Sequence, residues 1–215
     1  MVVSTNNQLW CTRMLSDSEG ELAVKFARGI AESAVLTGSY KIPDLKLPGV
    51  FEQKAGAFVT VQTFPERKLR GCIGIPEPVY SLRQAILNAA VDSVLSDPRF
   101  EPVREDELGT LVFELSVLSP PELITVKSRW ELPQSIQVGK HGLIVERGRF
   151  RGLLLPQVAV DESWDSEEFL DMTCWKAGIP EDSWHDPRVT VYRFEGEIFG
   201  EEEPRGEISR RELGR

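Results

Sequence analysis

One short segment of the chain combines residue types that can carry out covalent chemistry. The stretch LRGCIG, Leu69 to Gly74, places Cys72 between two glycines and two residues after Arg70. If this stretch is extended, Arg70 and Cys72 face the same side, because side chains alternate along a strand. Their Cα atoms would then lie about 6.6 Å apart, a separation at which a guanidinium can stabilise a thiolate. Cys72 is therefore a candidate nucleophile, and Arg70 is a candidate substrate-binding residue.

The two glycines of this stretch are unusual for a strand. Glycine weakens a strand interior, so Gly71 and Gly74 indicate a bulge or a position that another backbone or a ligand approaches closely. We take both as candidate substrate-binding positions. A second interpretation remains open for Cys72, because free cysteine is among the most buried residue types and can serve as a small apolar core residue.

Two further side chains could take part in proton transfer. His141 lies in the glycine-flanked sequence GKHG and is the candidate general base for a cysteine nucleophile. Glu77 lies close to Cys72 in the sequence and could orient a base or a substrate amine. Each has a simpler alternative, because loop histidines and acidic flanks commonly face solvent. The candidate catalytic residues are therefore Cys72, His141 and Glu77.

A helix start is predicted near the end of the LRGCIG strand. Ser81-x-x-Gln84 is typical of a helix N-terminus, and the free N–H groups there can hold an anion. Ser81 is therefore a further candidate substrate-binding residue. The alternative is that the Ser81 hydroxyl itself caps these donors.

No metal or cofactor site is predicted. The chain has no CxxC, HxH or HExxH motif, and it lacks the phosphate-loop, dinucleotide and GxSxG fingerprints. Its three cysteines, Cys11, Cys72 and Cys174, are odd in number and widely spaced. This pattern favours reduced thiols in a cytoplasm over a disulfide framework.

The elements that must position these residues follow from apolar periodicity and from Gly and Pro. The first half is predicted to contain a helix from Ser18 to Gly38, strands at 56–64 and 69–75, a helix from Ser81 to the Asp97-Pro98 stop, and a strand at 111–118. The second half is predicted to contain a hairpin of 142–146 and 149–155, a helix from Asp165 to Gly178, and a last strand at 189–199. Strands interleaved with helices, without a regular βαβ rhythm, predict an α+β fold with a mainly antiparallel sheet, flanking helices and two intimately packed subdomains.

Proline marks the division between the two halves. The sequence Ser119-Pro120-Pro121 is the predicted subdomain boundary within one domain spanning about 10–200. The tail 201–215 mixes acids and bases with almost nothing apolar, so we expect it to be mobile.

The tripeptide Asp-Pro-Arg occurs at 97–99 and again at 186–188, and we interpret both copies as turns. Four of the five tryptophans, at 130, 164, 175 and 184, lie beyond the boundary, where they could line a pocket or fill a core.

Composition excludes some classes of partner. A formal net charge of −9 and a pI near 4.9 oppose tight binding to phosphate backbones or anionic membranes, so nucleic acid is a disfavoured partner. The N-terminus has neither the charge nor the apolar run of a signal peptide. No stretch of eighteen apolar residues predicts a membrane span. We expect a cytoplasmic protein that does not engage membranes.

Several motifs in this order resemble one known family. LRGCIG at 69–74, DPRFEPV at 97–103, FELSVLSPPE at 113–122 and GKHGLIVERG with GLLLPQVA at 139–159 are similar to the AMMECR-type domain, named for the Alport syndrome, midface hypoplasia and elliptocytosis chromosomal region. The resemblance covers about 15–199. It implies an α+β protein with a larger and a smaller subdomain and a cleft near LRGCIG, with Arg70 and Cys72 as site residues. It also implies links, through microbial gene neighbourhoods and fusions, with a Memo-like protein and a radical S-adenosylmethionine protein.

The sequence therefore leaves three functional hypotheses, in this order. The first is an enzyme, or a component of an enzyme system, that acts on a small anionic or acyl-type substrate at the LRGCIG cleft. The second is a non-catalytic protein-interaction module that docks a partner through its cleft or its tryptophan-rich half. The third is an RNA-binding regulator, which the net charge disfavours.

Overall fold

The computed structural model describes residues 15–211, which divide into two compact units. The first unit comprises the described residues up to Ser119 together with Glu197–Arg211, and the second comprises Pro120–Gly196. The last long strand therefore supplies residues to both units. Cys11 and the N-terminal segment considered above lie outside the described residues.

Helices and strands are interleaved along the chain, without regular alternation. In chain order they are α1 (Asp17–Thr37), β1 (Gly56–Thr63), β2 (Leu69–Ile75), α2 (Leu82–Leu95), β3 (Leu111–Leu118), β4 (Glu122–Leu123), β5 (His141–Arg147), β6 (Phe150–Leu154), α3 (Pro156–Asp161), α4 (Ser166–Lys176), β7 (Thr190–Glu201) and β8 (Ile208–Arg211). The pairings resolved between these strands are antiparallel. The α+β class with a mainly antiparallel sheet and flanking helices is therefore confirmed.

Helix α1 begins two residues earlier than the sequence pattern predicted. Ser16, not Ser18, is the N-cap: its hydroxyl accepts the Glu19 N–H, and the Glu19 carboxylate accepts the Ser16 N–H at 2.8 Å. The sequence contains two overlapping Ser-x-x-Glu matches, and burial of Leu15 just before the first match anchors the chain there. The helix ends where expected, at Gly38, whose φ of 68° is left-handed.

In the first unit, strand β1 lies between β2 and β3. One face of these strands carries residues such as Val59, Val61 and Leu115, which pack with α1 and α2 in a fully buried core. Residues at the alternate positions, including Thr60 and Glu114, face the other side. Cys72, on the edge strand β2, is directly paired with Thr60 and therefore lies on this second face.

The second unit is built on the β5–β6 hairpin. The hairpin turns at Gly148, whose φ is 61°, and β5 also pairs with β7. Helix α4 begins at an Asp165 capping box with Glu168 and packs on the hairpin. The hairpin and this helix lie where the sequence predicted them. Their apolar faces form a separate core that includes Leu143, Phe169 and Trp184.

Part of the charged tail has regular structure, and the expected mobility of 201–215 stays a prediction. Residues Ile208–Arg211 form β8, which pairs with the end of β7, and Ile208 packs against the first core. Arg210 forms ion pairs with the exposed Asp17 and with the buried Glu197, so its charge is paired within the unit. Composition alone misses this, because the partners of these charges lie far away in the sequence. Residues 212–215 lie outside the described part of the chain.

Two kinds of feature are absent from residues 15–211. None of the helices in this range combines the length and the apolar character that a membrane crossing needs. In the same range, no three His, Cys, Asp or Glu side chains come together as a metal site.

Candidate functional site

The sheet register brings three polar side chains into one row across β2, β1 and β3. Cys72 is paired with Thr60 across β2 and β1, and Thr60 is paired with Glu114 across β1 and β3. Directly paired residues of antiparallel strands share one face. The Thr60 hydroxyl donates a hydrogen bond to Cys72 Sγ at 3.2 Å. We call Cys72, Thr60 and Glu114 the cysteine row.

The main chain at Cys72 is fixed by a buried aspartate. The Cys72 N–H donates to Asp97 Oδ2 at 2.8 Å, and Arg99 Nη2 donates to the same oxygen at 2.7 Å and to the Cys72 carbonyl at 3.1 Å. Asp97 is only 5% exposed. The hydrogen bonds from Arg99 hold the pKa of the Asp97 carboxyl well below its usual range. The outer edge of β2 is therefore satisfied by side chains at the position of the candidate nucleophile.

Replacing Asp97 with Asn is expected to loosen the strand at Cys72. The carboxylate would lose its charge-assisted bonds to Arg99, at a cost of about 1–3 kcal/mol in the free energy of unfolding. A lowered folded-state pKa means that this stabilisation is present above the ordinary pKa near 3.8 and is lost as the pH falls through the folded value. Urea unfolding of both proteins, repeated in acid, measures this effect, and the difference between them should shrink in acid.

The second Asp-Pro-Arg copy provides a matched control. Asp186 accepts from Arg188 in the same way, at 2.6–3.1 Å, but it is more exposed than Asp97. Asp186→Asn should therefore have a smaller effect than Asp97→Asn. Equal losses in the two variants would contradict an anchoring role for Asp97.

Glu114, at the other end of the cysteine row, is a partly desolvated carboxyl. Its side chain is 17% exposed, and Arg211 Nε lies 3.3 Å from Glu114 Oε2. Burial raises the pKa of Glu114, while the charges of Arg211 and Arg67 act in the opposite direction. The row therefore contains a thiol and a carboxyl whose protonated form is favoured by burial, relative to that of an exposed glutamate.

The Arg70 guanidinium is hydrogen-bonded to other residues of the protein. It donates to both carboxylate oxygens of Glu107, at 2.8 and 3.0 Å, and to the carbonyls of Glu101 and Pro102. The Glu107 pKa is lowered chiefly by this contact. These bonds tie β2 to the 95–110 connection, and a role for Arg70 in binding substrate stays a prediction.

The two glycines of LRGCIG are explained by neighbours within the protein. A Cβ at Gly71 would lie 2.0 Å from the Ser93 carbonyl oxygen of α2. A Cβ at Gly74 would lie 2.3 Å from the Phe58 ring. Of the alternatives that the sequence left open, the close approach of another backbone therefore accounts for Gly71. Gly74 leaves room for the Phe58 ring on the face that carries Cys72.

Ser81 and Glu77 lie in the connection between β2 and α2. The Ser81 hydroxyl accepts the Gln84 N–H at 3.4 Å, and the Leu82 N–H donates to the Gln53 carbonyl. Two of the first N–H groups of α2 therefore have protein partners. Glu77 is half-buried, and its carbonyl accepts the Val79 N–H. The proposed roles of Ser81 in anion binding and of Glu77 in proton transfer remain predictions.

His141 is the first residue of β5, in the second unit. It is buried, and its Nδ1 accepts the Gln137 N–H at 3.0 Å, which places the proton of a neutral ring on Nε2. Burial lowers the pKa of His141, and the Arg193 charge acts in the same direction. A neutral ring can act as a general base, and the role of His141 as the base for Cys72 stays a prediction.

Sequence reasoning missed Thr60 and Glu114 and assigned Asp97 only to a turn. Thr60 and Glu114 carry no motif of their own, because they become neighbours of Cys72 only through strand register. For Asp97, the available signal was the Asp-Pro-Arg tripeptide, whose Asp and Arg pair in both copies. The tripeptide alone does not indicate which of its two copies forms hydrogen bonds with a strand.

Known proteins share both the sequence and the fold of this chain. Residues 24–199 match the AMMECR1 family. Protein MJ0810 of Methanocaldococcus jannaschii is 48% identical over 201 residues, covering 94% of this chain and 99% of the relative. Protein PH0010 of Pyrococcus horikoshii, described as uncharacterized, has a crystal structure that matches with a TM-score of 0.84 at 48% identity, covering 93% of this chain and 99% of that one. With a family match over most of its length and relatives at this identity, the chain belongs to the AMMECR1 family.

Proposed function

We propose that the protein is an enzyme that uses Cys72 as a nucleophile on a small acyl-type substrate, through a transient thioester. The single observation that carries this proposal is the half-buried Cys72, whose sulfur accepts a hydrogen bond from Thr60 on a strand edge held by Asp97. The Thr60 hydroxyl fixes the direction of the sulfur, and the thiolate is the reactive form of cysteine. A fixed main chain holds that sulfur in one place, as a covalent step requires.

The surroundings of the sulfur fit a small acyl group with an anionic end. The Phe58 ring, which lies over Gly74 two positions along β2, offers apolar contact to an acyl chain. Arg99 is 52% exposed at its side chain, and none of its bonds to described residues uses Nη1. That nitrogen can bind a carboxylate or phosphate on the substrate.

Alkylation of the native protein tests the proposal, and Cys174 supplies an internal control. Cys174 is fully buried, and burial raises its pKa to about 12. In a Cys11→Ser background, iodoacetamide should label Cys72 in the folded protein and should reach Cys174 only after unfolding. Peptide mass spectrometry over a graded pH series gives the rate at each cysteine. Equal resistance of Cys72 and Cys174 below the unfolding transition would argue that Cys72 is structural.

A second candidate function is a protein-interaction module in the second unit. Trp130 is 71% exposed and packs edge-on against Trp184, beside a cavity of about 700 Å³ lined by Thr125, Val126, Lys127, Trp130, Glu131, Gln134 and Ser135. Exposed tryptophan is a frequent anchor in protein interfaces. The resemblance supplies a Memo-like protein and a radical S-adenosylmethionine protein as partners to try. Pull-down with each partner distinguishes this function from catalysis. Trp130→Ala should lose binding, and Trp175→Ala, at a tryptophan that is also well exposed, is the control.

We also propose a cytoplasmic location for the protein. Within residues 15–211, both cysteines are free thiols, as expected in a reducing compartment. Fractionation of cells that express the tagged protein tests this proposal directly.

A further inference from the structure

The cysteine row places a carboxyl at a defined distance from the candidate nucleophile. Its three side chains stand on adjacent strands and share one face of the sheet. Paired side chains on neighbouring strands are about 5 Å apart, so Cys72 and Glu114 lie about 10 Å apart with Thr60 between them. That span is too long for direct proton transfer to the sulfur. It is long enough to place a thioester and a water molecule between the two.

The carboxyl of Glu114 is poorly neutralised for its degree of burial. Within the described residues, its ion pair is with Arg211, whose Nε makes no hydrogen bond of good geometry. The guanidinium groups of Arg211 and Arg67 are both held by the Glu201 carbonyl. The Glu114 carboxyl, at the end of the row, therefore does not form a bidentate pair of the kind that Arg70 forms with Glu107.

We propose that Glu114 is the general acid and general base of the Cys72 site. This proposal rests on the proposed function and deepens it. Thr60 orients the sulfur. Glu114 donates a proton to the oxygen that leaves the acyl carbon and takes a proton from the water whose oxygen enters. The groups that face Glu114 are Arg211 from β8, Arg67 from the β1–β2 connection, and Thr60 and Cys72 along the row.

The reaction divides into two balanced steps. In the first, the Cys72 thiolate attacks the acyl carbon, the new sulfur–carbon bond forms, and the bond to the leaving oxygen breaks as that oxygen takes the proton from Glu114. In the second, Glu114 as carboxylate takes a proton from water, the water oxygen bonds to the acyl carbon, and the sulfur–carbon bond breaks to restore the thiolate. The sum is ester plus water giving alcohol plus acid, and Glu114 ends protonated as it began. The raised Glu114 pKa favours the protonated start of this cycle.

Two-phase kinetics with p-nitrophenyl acetate separate the two steps. Its leaving group needs no proton, so a burst of p-nitrophenolate reports acylation of Cys72 alone, and the slow phase reports hydrolysis of the thioester. Glu114→Gln is expected to keep the burst within about twofold and to slow the second phase by about 100-fold or more. Glu105→Gln, at an exposed glutamate of the same unit, should change neither phase.

The pH profile of the wild-type protein provides a readout that a structural role would not give. The rate of the slow phase should decrease as the pH is lowered through a value above the ordinary glutamate pKa near 4.5, because the carboxylate is the base. This inflection should be missing from Glu114→Gln, and the wild-type profile is informative even if that variant folds poorly. Absence of any burst in the wild type would overturn the proposed function. A normal burst together with a slow phase that Glu114→Gln leaves unchanged, or a wild-type profile without the inflection, would overturn the role of Glu114 alone.

Discussion

Gly71→Val is expected to lower the free energy of unfolding by about 3 kcal/mol or more, the upper end of the range for overpacking. The added Cβ would lie 2.0 Å from the Ser93 carbonyl oxygen, and main-chain atoms cannot move aside as a side chain can. Either α2 must separate from β2 or the strand must bend. Urea unfolding followed by circular dichroism measures the loss.

A glycine in open space in the same unit controls for the general effect of replacing glycine. A Cβ at Gly109 has no heavy atom within 4 Å, and this residue lies in the 3-10 turn Glu105–Thr110. Gly109→Ala should leave stability within about 0.5 kcal/mol of the wild type. If Gly71→Val were as stable as Gly109→Ala, the close packing of α2 on β2 would be refuted.

Arg28→Met is expected to cost about 3–5 kcal/mol, because it removes one partner of a buried ion pair. Arg28 donates twice to Glu201 at 2.5 Å and once to the Leu111 carbonyl, and both charged side chains are less than a tenth exposed. Glu201 also accepts the Phe113 N–H at 2.9 Å. The variant would leave the Glu201 carboxylate buried without its cation, where α1, β3 and β7 meet.

Lys25→Met provides the control on the same helix. Lys25 pairs with Glu21 at the surface, with both side chains about half exposed, so its loss should cost less than about 1 kcal/mol. Thermal and urea unfolding of the two variants give the comparison. Similar small losses in both would mean that the Arg28 cluster does not anchor the end of β7.

Local features of this fold are readable from the sequence, and features set by distant contacts are not. The Gly38 stop, the Ser81 and Asp165 caps and the β5–β6 hairpin depend on a few adjacent residues, and each lies where the sequence placed it. The ion pairs of Arg210 with Asp17 and Glu197 could not be read from the sequence, because these residues meet only in the folded unit.

The candidate site was only partly predictable for the same physical reason. Alternation along β2 placed Arg70 and Cys72 on one face, but it cannot say which residue of β1 lies opposite Cys72. The β1–β2 register shifts at a bulge between Val61 and Gln62, so counting from the turn would misplace the pair. The pairing with Thr60 and then Glu114 is therefore a product of tertiary structure. The prediction that Arg70 binds substrate arose from its residue type, and its carboxylate partner lies 37 residues away.

Direct detection of an acylated Cys72 is the most decisive measurement for this account. The Cys11→Ser protein would be exposed briefly to p-nitrophenyl acetate, quenched in acid to preserve thioesters, digested and examined by peptide mass spectrometry. We predict one acetyl group on the peptide that contains Cys72, none on the peptide that contains Cys174, and removal of the Cys72 label by hydroxylamine. Acetyl groups confined to lysines, with Cys72 unmodified in the folded protein, would contradict the claim that Cys72 is the nucleophile of an acyl-transfer site.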